Sequence, residues 1–235
     1  MKAWQRRLYD SYVSTGQVGT INHERNPYLD ALIARHLPPD TRISIADLAC
    51  GHGALIRALK KQGYHRVIGV DTSAEQVAAA HDRGTTEVRH GEIDPFLDDH
   101  ESAGFDVVFL MDILEHLDKE QVIKLLDRVH NSLRPGGRAI IHVPNATGIF
   151  GMNARYGDFT HEVAFTPRSI RQVLSSCGFH AISVHEDKPT VHGLKSFVRR
   201  LLWALLTVPF RLLLSAETGA TRHVLSQNML VVAHH

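Results

Sequence analysis

The stretch "ISIADLACGHGALIRALKKQGYHRVIGVD", residues 43–71, decides the fold. It opens with a short β-branched apolar run, turns at Gly51 and Gly53, continues as a helix-like segment over 54–63 and ends in a second apolar run at Asp71. A strand, a glycine turn, a helix and a second strand form the βαβ unit of a parallel sheet. Because ligands of such sheets bind beside the carboxyl ends of the strands, the turn is a predicted binding site.

Length and composition favour an ordinary globular protein. The chain has 235 residues, of which 43% are apolar and 22% charged, as in a globular domain of average composition. The net charge of +1 gives no basic patch, so we expect no nucleic-acid partner. Two cysteines are too few for a disulfide framework or a metal motif, which favours a reducing cytoplasm. The longest apolar run has about ten residues, fewer than the ~17–25 needed to span a bilayer, and the N-terminus lacks a secretory apolar region.

The remainder of the chain continues the alternation of strands and helices. Asp118 with Gln121, and Ser73 with Gln76, predict capping boxes at two helix starts. The pattern predicts an open, doubly wound α/β sheet of seven mainly parallel strands. The further strands are predicted over 86–92, 105–112, 138–145, 180–187 and 228–235, and the further helices over 73–84, 118–133 and 166–177.

Three segments lie outside this alternation. Residues 1–40 are expected to form an N-terminal helical cap or lid, and residues 41–235 the main domain. That domain carries one insertion over 146–165 and a second, apolar and helical, over 188–227. The first insertion leaves the carboxyl end of a strand, so it can reach the ligand crevice.

The charges around the first turn indicate which ligand it holds. A dinucleotide pyrophosphate requires a third glycine where this chain has Ile56, and Asp47 would repel a diphosphate. Asp71 ends the next strand, where a carboxylate can accept hydrogen bonds from both ribose hydroxyls. S-adenosylmethionine carries no phosphate but does carry an ammonium and a sulfonium. The acid before the turn suits this cationic ligand.

At these residues the chain resembles the class I S-adenosylmethionine-dependent methyltransferases. "DLACGHG" matches their acid-containing glycine loop, "VIGVDTS" their ribose-binding acid, "GEID" their adenine-flanking pair, and "FDVVFLMDILEHL" and "LRPGG" their later motifs. The chain departs from the pattern at Ala49, where a glycine is usual, and at Glu92, where aspartate is more frequent. The resemblance covers roughly residues 42–180 and implies a Rossmann-like methyltransferase fold whose last strand is antiparallel. It implies S-adenosyl-L-methionine as cofactor, bound by Asp47, Ala49, Gly51, Gly53, Asp71, Thr72, Glu92, Ile93, Met111 and Tyr12.

Two more local matches resemble a bacterial subgroup associated with cell-surface polysaccharide pathways. They are "LYDSYVSTG" near the start and "DFTHEVAFTPRSIRQVLSSCGF" later in the chain. By this analogy the N-terminal segment, with Tyr9 and Tyr12, would fold over the cofactor. The alternative for both tyrosines is ordinary helix packing.

Histidine is the predicted catalytic residue type. Methyl transfer to a hydroxyl is an in-line displacement that needs a base near neutral pH, and histidine titrates there. His161, in "GDFTHEVAF", is the leading candidate, with Asp158 or Glu162 expected to orient its ring. His116, in "DILEHL" after the fourth strand, is the second candidate, either as base or as a pocket residue.

We expect no metal site, because no spacing marks one. Asp94, Asp98, Asp99 and Asp112 are available, but Asp98, Asp99 and the following histidine resemble a solvated loop. The N-P-P-aromatic signature of methyltransferases that act on nucleic-acid amino groups is absent after the fourth strand.

The segment 194–215, "LKSFVRRLLWALLTVPFRLLLS", is apolar on most sides, and Pro209 should break it. One interpretation is a helix pair that covers the acceptor pocket or forms a homodimer contact through 195–214. The other is an interfacial helix in peripheral membrane contact, with its arginines at the headgroups and Trp203 and Phe210 inserted.

These features together predict a cytoplasmic methyltransferase acting on a small-molecule or glycan acceptor. The leading hypothesis is O-methylation of a sugar or glycan hydroxyl. The alternatives are methylation of a polyprenyl-quinone or a secondary metabolite, which predicts a mainly apolar acceptor pocket, and a non-catalytic cofactor-binding scaffold.

Overall fold

The computed structural model describes residues 26–100 and 104–235. Most of the predicted N-terminal lid, including Tyr9 and Tyr12, lies outside the described residues.

The predicted sheet is confirmed. Seven strands pair in the order β3-β2-β1-β4-β5-β7-β6. The pairs among β1 to β5 are parallel, and β7 is antiparallel to β5 and to β6. The strands are β1 Ile45–Leu48, β2 Val67–Asp71, β3 Val88–His90, β4 Phe105–Met111, β5 Leu133–Pro144, β6 His180–Glu186 and β7 Asn228–His234.

Helices cover both faces of the sheet, and side chains cap the starts of some of them. Asp118 and Gln121 form the predicted reciprocal capping box, whereas Ser73 accepts the Gln76 N–H. The α-helices are α1 Pro27–His36, α2 Ala54–Lys61, α3 Ala74–His81, α4 Ile93–His100, α5 Lys119–Ser132, α6 Gly151–Gly157, α7 Pro167–Ser176, α8 Leu194–Leu206 and α9 Val208–Thr218, and a short 3-10 helix covers Leu114–His116.

The expectation of a solvated loop around Asp98 is wrong, because α4 runs through it. Phe96 and Leu97 form the inner face of α4 and are buried in the core. On its outer face, Asp98 forms an ion pair with Arg128 of α5. The acidic residues that made the segment look like a loop are therefore the solvent face of an amphipathic helix.

The fifth strand also begins earlier than predicted. The "RPGG" turn is part of β5, which starts at Leu133 opposite Phe105. The pairing shifts before Arg138 faces Val107, so the turn residues form an irregularity within the strand instead of preceding it.

Each face of the sheet has its own hydrophobic core. The core that includes Leu48, Leu110 and Ile141 is covered by α4, α5 and α7. The opposite core is covered by α1, α2 and α3, and α1 contributes Leu32 and Ile33 to it. Part of the predicted N-terminal cap is thus a packing helix of the main domain.

Helices lie in both segments that the sequence analysis treats as insertions, and both segments follow strands at the same end of the sheet. The first contains α6 and follows the carboxyl end of β5, while the second contains α8 and α9 and follows that of β6. Pro209 breaks the second insertion as expected, since α8 ends before Thr207 and the proline lies in the first turn of α9. No helix within 26–100 and 104–235 is both long and apolar enough to cross a bilayer.

Candidate active site

A cavity of about 380 Å³ opens beside the carboxyl ends of β1, β2 and β4. The 3-10 helix and α5 close its other side, through His116 and Leu125 among other residues. This is the place that the glycine turn predicts for a ligand. Six of the residues that the sequence assigned to the cofactor line it, namely Ala49, Gly51, Asp71, Thr72, Glu92 and Ile93.

Asp71 ties the glycine turn to the second strand. Its Oδ2 accepts the Gly51 N–H at 2.7 Å, and its Oδ1 accepts the Ser73 N–H at 2.8 Å. Gly51 adopts φ +53°, in the left-handed region that glycine tolerates. The carboxylate therefore faces the cavity in a fixed orientation, as a ribose-binding acid requires.

Asp47 lies behind the turn with one oxygen unsatisfied. Its side chain is 2% exposed, and its Oδ1 has no hydrogen-bond partner among the described residues. Burial, and then the charge of Asp71, raises the pKa of Asp47 to about 8. A buried carboxylate of this kind is stabilised by a cation. The ammonium of S-adenosylmethionine therefore fits the residues present.

Two other predicted cofactor residues lie away from the cavity wall. Gly53 begins α2 with φ +73°, and a Cβ there would approach Thr85 and Val88 to 2.9 Å. It permits close packing between the turn and the third strand. Met111 ends β4 and packs against the core on the opposite face of the sheet, so the cavity wall after β4 begins with Asp112.

A chain of hydrogen bonds fixes the ring of His116. Its Nδ1 lies 2.7 Å from the hydroxyl of the buried Thr160. That hydroxyl donates its proton to Asp158 Oδ1 at 2.6 Å, so it must accept from the imidazole. In neutral His116 the proton therefore sits on Nδ1 and the lone pair on Nε2. Burial, and then the charge of His161, lowers the pKa of His116 to about 4.

His161 lies against His116, with the two ring centroids 4.6 Å apart and the rings edge to face. Its Nδ1 lies 2.8 Å from the Ala154 carbonyl. A carbonyl oxygen only accepts, so Nδ1 donates and Nε2 carries the lone pair. The position expected for a carboxylate of Asp158 or Glu162 is thus taken by a backbone carbonyl of α6.

The loop that carries His161 is held by backbone contacts. Arg155 donates from its guanidinium to the carbonyls of His161 and Glu162. The Glu162 N–H donates in turn to the Glu115 carbonyl at 2.7 Å. These contacts attach the insertion to the 3-10 helix, which brings the two histidines together.

Glu115 completes a group of three possible metal ligands. Ligand atoms of Glu115, His116 and His161 lie within 4.8 Å of one another. Glu115 is 1% exposed, and its Oε2 has no hydrogen-bond partner among the described residues. Burial, and then the charge of Asp112, raises the pKa of Glu115 to about 8. Two imidazole nitrogens and a carboxylate are suitable ligands for divalent transition metals.

A second polar cluster supports the residue that follows β4. His142 on β5 contacts Asp112 at 2.5 Å through Nδ1 and Asp187 at 3.3 Å through Nε2. Burial opposes the charge of His142, but the two carboxylates outweigh it and raise its pKa to about 10. The charged imidazolium holds Asp112 at the cavity rim with φ +55°. The Tyr28 ring packs edge-on against His142 at 5.9 Å.

Sequence reasoning did not find Thr160, Glu115 or His142. Thr160 and Glu115 are each adjacent to a predicted histidine, and a buried polar residue beside a candidate base is a signal for a supporting role. His142 lies within the predicted strand 138–145, where a lone histidine in an apolar run is the signal. The partner of that histidine, Asp112 after the end of β4, depends on strand order, which sequence alone does not state.

The fold and the cavity are those of the class I S-adenosylmethionine-dependent methyltransferases. Residues 21–184 match the family model described as "Methyltransferase domain". The chain belongs to this family.

Similarity to curated relatives is partial. The chain is 30% identical over 130 residues to a "Ubiquinone biosynthesis O-methyltransferase" of Xylella fastidiosa, covering 53% of this chain and 51% of that protein. The chain thus spans about half the length of this relative.

Two solved structures share the fold across most of the chain. A "SAM dependent methyltransferase from Archaeoglobus fulgidus" aligns with TM-score 0.65 at 20% identity, covering 88% of this chain and 93% of that one. Phosphoethanolamine N-methyltransferase 2 of Haemonchus contortus, solved in complex with S-adenosyl-L-methionine, aligns with TM-score 0.62 at 19% identity, covering 96% and 59%. S-adenosyl-L-methionine is therefore the cofactor of this chain.

Proposed function

We propose that this methyltransferase acts on a hydroxyl oxygen of an apolar phenolic or quinol-type acceptor, such as one that carries a polyprenyl chain. The observation that carries the proposal is the centre formed by Glu115, His116 and His161, of which His116 lines the cofactor cavity. A hydroxyl becomes a good nucleophile only when its proton is removed or its pKa is lowered. The three side chains supply both possibilities at one place.

The cofactor contributes an electrophilic methyl group on a sulfonium. Asp71 and Asp47 would hold its ribose and its ammonium, while Glu92 and Ile93 would flank its adenine, as the class pattern implies. Asp112 and His116 line the same cavity. The residues that follow β4 are therefore the ones that meet an acceptor beside the methyl group.

We further propose that the centre holds a divalent cation. The buried Glu115 carboxylate has an unsatisfied oxygen, and the low pKa of His116, caused first by burial, keeps its imidazole neutral. A divalent cation would supply the positive charge that the buried Glu115 carboxylate lacks, and the neutral imidazole of His116 can coordinate it. A cation there would lower the pKa of an acceptor hydroxyl. Without one, His161 would take the proton directly, as the sequence suggests.

The class of acceptor is supported by two observations. Relatives in Xylella and Dictyostelium are named as ubiquinone biosynthesis O-methyltransferases. The insertion that carries His161 also presents exposed apolar side chains next to the site, namely Phe150, Met152, Tyr156 and Phe159. An exposed apolar surface of this kind suits an acceptor with a hydrocarbon tail.

A sugar or small-glycan hydroxyl is the second candidate, favoured by one specific cavity. A space of about 470 Å³ lies between the start of α1 and the second insertion. Trp203 lines it together with the polar side chains of Asn26, Asp187, Gln227 and Asn228. The Trp203 Nε1 and Tyr28 hydroxyl are buried without a partner among the described residues. An aromatic ring among unpartnered donors and amides can hold a sugar.

One pair of parallel assays distinguishes the two acceptors. Purified enzyme and S-adenosyl-L-methionine are incubated with a short-chain prenylated catechol and, separately, with a lipid-linked disaccharide. We expect a product heavier by one methylene from the catechol, found by mass spectrometry. Product from the disaccharide alone would transfer the proposal to the glycan, and product from neither would overturn both. An Asp71→Ala control, which removes the ribose ligand, should give no product.

A further inference from the structure

The second insertion presents its apolar side to solvent. We call α8 and α9, residues 194–218, the apolar hairpin. Large apolar residues on it remain exposed, with Leu194 79%, Leu206 68% and Leu213 68% accessible. A contiguous apolar surface of this kind on a protein marks an interaction site.

The first helix of the hairpin, α8, turns its polar residues toward the protein and its apolar residues toward solvent, which is the opposite of an ordinary surface helix. In α8 the buried positions include Ser196 and, at its end, Thr207. Both hydroxyls donate to backbone carbonyls, and Arg200, four residues after Ser196, donates to the Pro189 carbonyl. The exposed apolar positions, spaced by three and four residues, form one continuous stripe, consisting of Leu194, Phe197, Val198, Leu201, Leu202, Leu205 and Leu206.

The second helix of the hairpin, α9, likewise turns a polar residue inward and its apolar residues outward. Arg211 of α9 points inward and makes two bonds, at 2.8 and 2.7 Å, to the carboxylate of Glu186 at the end of β6. Phe210, Leu212 and Leu213 remain exposed. Because a polar contact with β6 anchors the helix, its apolar residues are available for a partner.

Trp203 departs from the sequence-based expectation of membrane insertion. It lies on the inward side of α8, lines the polar cavity and buries its Nε1. The expected insertion of Phe210 is compatible with its exposed position. The surface available to a partner therefore consists mainly of aliphatic side chains, together with the aromatic rings of Phe197 and Phe210.

The charges of the hairpin select the partner. No acidic residue occurs from Lys188 to Ala216. Lys195 and Arg199 are exposed, and at 100° per residue they lie together along one flank of the apolar stripe of α8. Arg199 lies at the border between this stripe and the polar cavity that it lines with Trp203. Cations that flank an inserted apolar stripe are placed to meet anionic headgroups.

A second copy of the chain fits this surface less well. A two-fold dimer places the same patch against itself. Both halves of such an interface would carry the exposed Lys195 and Arg199, with no acid from 188 to 216 to compensate them. An anionic lipid surface has the opposite charge and accepts the same apolar stripe.

We propose that the apolar hairpin lies in the headgroup region of an anionic lipid bilayer, with its leucines inserted and with Lys195 and Arg199 at the phosphates. Neither helix spans the bilayer, so the contact is peripheral. The Ile149 N–H bonds to the Leu225 carbonyl at 2.9 Å, which joins the segment after the hairpin to the histidine-bearing insertion. Docking therefore brings the crevice to the membrane. Delivery of an apolar acceptor by this route rests on the proposed function, whereas the docking does not.

Vesicle flotation tests the proposal without any activity measurement. Purified full chain is centrifuged with phosphatidylcholine vesicles that contain or lack one quarter phosphatidylglycerol. We expect the protein to float with the anionic vesicles and to bind them more weakly in 500 mM NaCl. Lys195→Gln with Arg199→Gln should weaken anionic binding about fivefold for each charge removed, with little change on neutral vesicles.

Apolar variants test the inserted face. Leu201→Gln with Leu205→Gln should lower the partition coefficient more than tenfold on both kinds of vesicle. Ile123→Gln, which removes an exposed apolar residue of α5, is the matched control and should bind as the wild type. Wild-type protein that stays unbound, or hairpin variants that float like the wild type, would overturn the proposal.

Two further measurements test the insertion of the hairpin and its contact with a second copy. A Phe210→Trp variant should show added tryptophan fluorescence that brominated lipids quench. This test keeps all the leucines of the hairpin, so it does not depend on the folding of the leucine variants. Light scattering of the lipid-free protein tests the other occupants. A dimer that Leu201→Gln with Leu205→Gln converts to monomer, without flotation of the wild type, would assign the face to a second copy.

Discussion

The Nδ1 of His116 and the hydroxyl oxygen of Thr160 lie 2.7 Å apart and join the residue after β4 to the insertion after β5. Because the Thr160 hydroxyl donates its hydrogen bond to Asp158, it must accept from His116, and this contact determines which nitrogen of His116 carries the lone pair. The two segments are 44 residues apart in the chain. The proposed catalytic centre therefore depends on the packing of one insertion against the strand ends.

Removal of the Thr160 hydroxyl should impair turnover with little effect on cofactor binding. In Thr160→Val the His116 ring loses the acceptor that orients it. We expect kcat to fall about 10- to 100-fold, while the Kd for S-adenosyl-L-methionine, measured by calorimetry, stays within twofold. Thr160→Ser keeps the hydroxyl and should restore most of the activity. A valine variant with wild-type kcat and pH profile would show that the contact is structural only.

Chelation should reduce activity if the proposed cation is present. We expect turnover to fall at least tenfold after treatment with EDTA and to recover with Mg²⁺, Mn²⁺ or Zn²⁺. Glu115→Gln should prevent the recovery, because it removes the carboxylate ligand. Glu120→Gln, at an exposed position four residues after His116, is the matched control. Binding of Co²⁺, followed by its visible absorption, provides a readout independent of activity.

Unchanged turnover after chelation would mean that His161, and not a cation, activates the acceptor hydroxyl by removing its proton. In that case His161→Ala should lower kcat about 10²- to 10⁴-fold in protein with and without chelator, and Glu115→Gln should have little effect. The two modes therefore differ in the response to EDTA.

The affinity for the cofactor should depend on pH through Asp47. Burial, and then the charge of Asp71, raises the pKa of Asp47 to about 8, so below pH 8 the carboxyl is mainly protonated. An ammonium ligand prefers the carboxylate, and binding must then release a proton. We expect affinity to weaken by up to about tenfold for each pH unit below 8. Calorimetry from pH 6 to 8.5 measures this slope, and Asp47→Asn should bind more weakly with a flatter one.

The stability of the protein should fall in mildly alkaline solution because of His142. Burial opposes its charge, but Asp112 and Asp187 raise its pKa to about 10, above the ordinary value of about 6.5. The folded state then holds a proton that the unfolded state has lost. The stabilisation is complete below pH 6.5 and is lost as the pH rises through 10, at up to about 1.4 kcal/mol per unit.

Urea unfolding at pH 7, 8, 9 and 10 measures this contribution. His142→Gln should be less stable at pH 7 and should lose less stability between pH 7 and 10 than the wild type. His65→Gln, at an exposed position, should follow the wild type. Parallel pH curves for His142→Gln and the wild type would contradict the assignment.

The sequence predicts what is local and what repeats. The βαβ pattern, the capping box at Asp118 and the break at Pro209 depend on neighbouring residues, so each follows from spacing and residue type. The cavity residues Asp71 and Glu92 follow because strand ends converge at one edge of a parallel sheet. These parts of the fold and of the candidate cofactor site require no knowledge of tertiary contacts.

Partners distant in the chain are less predictable. The Nδ1 of His161 contacts the Ala154 carbonyl instead of a carboxylate because α6 folds back against the loop. The His142 cluster requires the adjacency of β4 and β5 and the position of Asp187 after β6. A helix that exposes its apolar side, such as α8, has the same hydrophobic periodicity as one that buries it. The sequence therefore does not say which side faces the protein.

Ala49 offers a last prediction, because it occupies a left-handed position where the class pattern has glycine. Its φ is +59°, a conformation that costs an L-residue roughly 1–2 kcal/mol. Glycine removes that cost but adds freedom to the unfolded chain, worth about 0.4–1 kcal/mol in the opposite direction. We therefore expect Ala49→Gly to stabilise the protein by up to about 1 kcal/mol in urea unfolding. The reverse change two residues later, Gly51→Ala at φ +53° with only the Gln76 side chain at 3.8 Å, should destabilise it by a similar amount. A loss of stability in Ala49→Gly would mean that the alanine methyl makes contacts in the turn that outweigh its backbone strain.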